Sequence, residues 1–129
     1  MSELSPKELV KKMYQSMVDG DYDTALSILA PDYFSHTQTA ETSPEMFVKE
    51  VESIKNTMTE LKHEFILAIE DGDIGAVVQR LEGIHKDTGD KIAYRSADFF
   101  RVENGRLKEH WDAVTFDGED MFDIIDLEE

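Results

Sequence analysis

Apolar residues recur three or four positions apart in the first half of the chain and at every second position in much of the second. The first period is that of a helix with one buried face, the second that of a half-buried strand. Leu9, Val10, Met13, Tyr14, Met17 and Val18 form the opening helical stripe. Ser5-Pro6-Lys7-Glu8 supplies its start: a capping serine, a proline at the first helical position and a glutamate placed for a capping box. Gly20, within Asp19-Gly20-Asp21, ends it. A second short helix carries Tyr22, Ala25, Leu26, Ile28 and Leu29, with Pro31 just past its end, and residues 33–37 predict a short strand. After a polar loop at 39–43, Ser43 and Pro44 start a third helix with the stripe Phe47, Val51, Ile54, Met58 and Leu61.

Beyond residue 62 the pattern turns to strands, predicted over 63–69, 74–86, 91–102 and 106–114. Glu70-Asp71-Gly72-Asp73, Asp87-Thr88-Gly89-Asp90 and Glu103-Asn104-Gly105 are the turns between them. Such short turns join antiparallel strands, so the pattern predicts an α+β protein: three N-terminal helices, then an antiparallel meander. Residues 116–129 mix apolar positions with acids and predict a short amphipathic helix or a docked tail. No repeat or linker divides the chain, and 129 residues suit a single domain with one core.

Charge narrows the partners. The chain has 29 acidic and 13 basic residues, a formal charge of −16. Such a surface repels nucleic acid and anionic membrane, and Lys11-Lys12 is the one adjacent basic pair. No apolar run is long enough to span a bilayer, and the N-terminus lacks a secretory layout, so a cytoplasmic protein is expected. With no cysteine, thiol catalysis, disulfides and cysteine metal sites are excluded.

The densest chemistry lies in DFFRVENGRLKEHWD, residues 98–112, which holds Asp98, His110, Asp112 and the only tryptophan, Trp111. Alternation puts Asp98, Phe100 and Val102 on one face of their strand. On the next strand it groups His110, Asp112 and Val114, and separately Leu107, Glu109, Trp111 and Ala113. The turn decides which sets meet. A two-residue Asn104-Gly105 turn pairs Val102 with Leu107 and sets Asp98 on the face of Trp111. A three-residue Glu103-Asn104-Gly105 loop pairs Val102 with Arg106 and sets Asp98 opposite His110. Both suit the sequence.

This hairpin resembles that of the SnoaL-like branch of the nuclear transport factor 2-like superfamily: an aspartate, two apolar residues, an arginine, a glycine turn and a strand ending Glu-His-Trp-Asp. Asp19-Gly20-Asp21, Ala30-Pro31-Asp32-Tyr33 and the strand ending at His36 also fit that family, so the resemblance spans residues 6 to 114. The family's His-Asn-Pro is His36-Thr37-Gln38 here. The resemblance implies a cone-shaped fold, a curved sheet wrapped around the helices and enclosing a pocket. It favours the register that groups Asp98, His110 and Asp112 at the cavity. It also implies a homodimer formed through sheet faces, with Trp111 as an anchor if it lies on the convex side. Relatives include polyketide cyclases, ketosteroid isomerases, dehydratases, epoxide hydrolases and non-catalytic binding proteins, so fold alone does not name an activity.

The expectation is therefore acid–base chemistry, with Asp98 as the general acid/base aided by His110 and Asp112. Crowded carboxylates resist double ionisation, which lifts one of them toward a useful range, and a histidine beside them can shuttle protons. Tyr14, Phe34, His36 and Phe100 are the expected pocket residues. The ligand would be a small apolar molecule, turned over by cyclisation, isomerisation or aldol-type addition without a cofactor, or simply bound. The four histidines (36, 63, 85 and 110) have no ligand-like local spacing, so no metal is expected.

Overall fold

The computed structural model describes residues 4–36 and 43–116. Helix α1 (Pro6–Val18) starts where the capping box sets it, with the Ser5 backbone N–H donating to Glu8 Oε1 at 2.8 Å. Its apolar stripe is buried, and Val10, Met13 and Met17 are wholly inaccessible. Asp21 caps α2 (Tyr22–Ile28) by accepting from the Thr24 N–H at 3.2 Å. Ser43 caps α3 (Pro44–Asn56) through the Met46 N–H at 3.2 Å.

The strands are β1 (Leu29–Ser35), β2 (Met58–Asp71), β3 (Ile74–His85), β4 (Lys91–Glu103) and β5 (Arg106–Phe116), in the order β1-β5-β4-β3-β2. The fold class is the expected one: three helices seated on a curved, unclosed sheet. The larger departures from the expected boundaries are at β1, α3 and β2. β1 follows α2 without a break, so Leu29 and Pro31 belong to the strand. Pro31 is tolerated because β1 is an edge strand. α3 stops at Asn56, and Met58 and Leu61 belong to a longer β2. The sheet is also not wholly antiparallel, because β1 pairs with β5 in parallel. Of the expected tail at 116–129, Phe116 closes β5 and the rest lies outside the described residues.

The β4–β5 hairpin starts in the two-residue register and then shifts to a third that neither turn alone predicts. Asn104 (φ 54°) and Gly105 (φ 77°) make a two-residue turn, with Glu103 opposite Arg106 and Val102 opposite Leu107. The register then shifts, leaving Lys108 as an extra residue, and Arg101 pairs with Glu109, Phe100 with His110 and Asp98 with Asp112. This bulge reverses the alternation after Leu107, so Leu107 and His110 both enter the core. Leu107 therefore does not share a face with Trp111. Asp98 reaches the face of His110 and Asp112 without the three-residue loop, and its direct partner is Asp112.

Candidate functional site

Asp98 sits on the inner face of β4 and is 2 % exposed. Four donors converge on its carboxylate. Oδ1 accepts from the Tyr14 hydroxyl of α1 and from His110 Nε2–H of β5, each at 2.9 Å. Oδ2 accepts from Gln79 Nε2 of β3 at 2.8 Å and from Ser96 Oγ, two residues back on β4, at 2.6 Å. A carboxylate has about four lone-pair positions, and all are used. Burial alone would push this acid up, but the bonds from His110, Ser96 and Gln79 and the charge interaction with His110 outweigh it and hold the carboxyl below its ordinary range. The expectation that crowding lifts a carboxylate is thus not met at Asp98.

His110 is equally buried. Its ring stacks on Phe100 at 4.0 Å between centroids and is pinned at the other nitrogen, where Nδ1 lies 2.9 Å from the Tyr33 hydroxyl. Burial, followed by the charges of Asp112 and Asp98, drives Tyr33 far up, so its phenol keeps its proton beside the His110 ring. Burial and then Asp98 do the same to Tyr14.

Beside this network is a cavity of about 330 Å³. Val18, Phe47, Val51, Ile54, Leu81 and Val114 give it apolar walls, while Glu50, Lys55, His63, Gln79, Tyr94 and Asp112 add polar groups. Its size and lining suit a small organic ligand. Asp112 reaches it with 22 % of its side chain exposed, and its Oδ2 is 3.9 Å from His110 Nε2. The Lys55 ammonium is engaged elsewhere, donating to the Met17 carbonyl at the end of α1 (2.5 Å) and to the Tyr22 hydroxyl (3.1 Å). Burial pushes the Tyr94 phenol up to about 12.

The sequence profile of the SnoaL-like domain family matches residues 10–110. The chain belongs to the SnoaL-like family. Solved structures place the SnoaL-like chain in the same fold. IdmH from Streptomyces antibioticus, classed as a polyketide cyclase, superposes with a TM-score of 0.75 at 19 % identity over 96 % of this chain and 100 % of that one. AclR from Streptomyces galilaeus, classed as a hydroxylase, gives 0.74 at 20 % identity over 85 % and 88 %. A SnoaL-like polyketide cyclase from Agrobacterium tumefaciens gives 0.74 at 9 % identity over 87 % and 92 %. No curated protein matches by sequence.

In this SnoaL-like chain the hairpin does bring Asp98, His110 and Asp112 together. Tyr14 lines the cavity and bonds Asp98. The other pocket expectations require correction. Phe34 and His36 lie on the outer face, because Tyr33 takes the inward position of β1. His36 stacks on Trp111 at 4.7 Å and bonds Glu109 at 2.6 Å. Phe100 is fully buried against His110 and backs the network rather than lining the cavity. Gln79, Ser96, Tyr33 and His63 were missed. Gln79 had a readable signal, a polar residue at an inward position between Val77 and Leu81.

Each of Asp98, His110 and Asp112 offers one ligand atom within 4.8 Å of the others, close enough for a metal ion. A cation there would take His110 Nε2 from Asp98 and displace donors already seated on that carboxylate. The hydrogen bonds suit a stabilised anion better than a metal centre. No helix among the described residues is long and apolar enough to cross a membrane.

Proposed function

We propose that this SnoaL-like protein is a cofactor-independent acid–base catalyst acting on an apolar carbonyl compound. Asp112 would move the proton, and Asp98 would be the fixed charge behind it. The observation that carries this reading is the contrast between paired neighbours. Both border the cavity, but Asp98 has four donors and no lone pair left for a ligand, whereas the side chain of its cross-strand partner Asp112 is 22 % exposed. A carboxylate at an apolar wall can remove a proton next to a carbonyl and return it at another carbon, or leave the carbon free to attack a second carbonyl. Walls that keep water away strengthen each polar contact made there. The cyclase descriptions of IdmH and the Agrobacterium protein belong to the same reaction class.

A direct test uses 2-tetralone, an apolar bicyclic ketone, in D₂O, with loss of its α-proton signals followed by NMR. The protein is expected to accelerate the exchange, and Asp112→Asn to slow it by about 100-fold or more, the usual contribution of a positioned acid–base group. Wild-type rates in Asp112→Asn would remove Asp112 from the reaction. The alternative, a binding module, is favoured by the saturation of Asp98. It would show ketone binding without any exchange.

A further inference from the structure

A second imidazole is tied into the same hydrogen bonds from the β2 side of the cavity. His63 Nε2 is 2.7 Å from Gln79 Oε1, and Gln79 Nε2 is 2.8 Å from Asp98 Oδ2. The two contacts determine each other. Ionised Asp98 only accepts, so Gln79 must turn its amide nitrogen toward it, and its carbonyl oxygen then faces His63. That oxygen also only accepts, so His63 Nε2 must carry a hydrogen. A neutral His63 is therefore the Nε2–H tautomer, and Nδ1 is left with its lone pair. Among the described residues Nδ1 has no hydrogen-bond partner. The Phe65 ring stands edge-on to the imidazole at 4.6 Å and 88°, which limits its rotation. His63 borders the same cavity as Asp112.

We propose that His63 is the second proton-transfer group of this cavity, working through Nδ1 while Nε2 stays on Gln79. This rests on the acid–base reading of Asp112. Enolisation of a ketone needs one proton removed from carbon and one delivered to oxygen. As Asp112 takes the proton, the C–H electron pair becomes the new C=C bond. The carbonyl π pair forms an O–H bond with the proton from Nδ1 of the His63 imidazolium. Asp112 ends neutral, His63 ends neutral, and the reverse transfer restores both. The imidazolium is compensated through Gln79, whose amide bridges it to the Asp98 charge, an arrangement analogous to a carboxylate orienting a catalytic histidine. The other charged groups at the cavity are Glu50, Lys55 and Asp112. The Lys11 ammonium lies over the Phe65 ring, 5.6 Å from its centroid.

The discriminating variant is His63→Gln, whose amide N–H can still donate to Gln79 but cannot carry a proton to a ligand. In the 2-tetralone exchange it is expected to lose about 100-fold in rate, with ketone affinity within about twofold of wild type. Wild-type exchange in His63→Gln would overturn the proposal while leaving Asp112 in place. Absence of exchange by the wild-type protein would instead overturn the acid–base reading itself, and this proposal with it. Nitrogen-15 NMR of the unliganded wild-type protein gives a check independent of turnover and of how the variant folds. Neutral His63 is expected as the Nε2–H tautomer, and the Nδ1–H tautomer would overturn the proposal.

Discussion

Asp98→Ala is expected to destabilise the protein by about 3–5 kcal/mol, the cost of removing one partner from a buried ionic pair, and to lower Tm by roughly 10–20 °C. Tyr14, Gln79, Ser96 and His110 come from three other positions in the sheet and from α1, and all point at one carboxylate. Remove it and Tyr14, Gln79 and His110 are left as buried donors that have lost this acceptor, in a space too apolar to supply another cheaply. Asp98→Asn should do less damage. Its oxygen still accepts two bonds, and the Ser96 or Tyr14 hydroxyl can rotate to accept from the new amide, so a loss of about 1–3 kcal/mol is expected. Thermal or urea unfolding of the two variants measures the difference. An alanine variant as stable as wild type would mean that the network adds nothing to the fold.

Gly75→Ala is expected to cost about 3 kcal/mol, the upper part of the usual range for overpacking. A Cβ at Gly75 would stand 2.5 Å from both the C and O atoms of Pro6 and 2.8 Å from the Lys7 nitrogen. These are backbone atoms of the first turn of α1, and a rotamer change cannot move them aside. The Lys7 N–H is also held by Glu70 Oε1 at 3.0 Å. The helix must therefore lift from β3 as a body. Alanine's smaller unfolded-state entropy returns only about 0.4–1 kcal/mol. The strain should reach the site, because Tyr14 lies two turns along the same helix and its hydroxyl must stay within bonding distance of Asp98. Chemical denaturation of Gly75→Ala checks the first claim. A variant more stable than wild type would show that α1 has room to move.

Much of this was readable from local pattern. The serine, proline and glutamate before Leu9 fixed the start of α1, and Asn104-Gly105 marked a tight turn by its chemistry alone. What the pattern missed was non-local. Strict alternation assigns Leu107 to the face of Trp111, and only packing reveals that a bulge at Lys108 turns both Leu107 and His110 inward. The parallel pairing of β1 with β5 joins strands more than 70 residues apart, beyond any short-range signal. The site shows the same division. Asp98, His110 and Asp112 share one hairpin and were found together, while Gln79 reaches the same carboxylate from β3 and His63 reaches Gln79 from β2. The expected roles of Phe34 and His36 depended on which way β1 faced, and Tyr33 occupies the inward position.

Asp98, although it borders the cavity, is on this reading a permanently ionised anchor that leaves proton movement to Asp112 and His63. A pH titration of the Asp98 carboxyl by carbon-13 NMR tests it most directly. Because the folded state holds this acid down, its contribution to stability should be complete above the unfolded carboxylate value of about 3.9 and lost only as pH falls through the lower folded value. The Asp98 resonance is expected to stay in its ionised position through neutral and mildly acidic pH, with a midpoint below that of a free aspartate. A midpoint above it, with a protonated Asp98 near neutrality, would contradict the account and make Asp98 itself the acid.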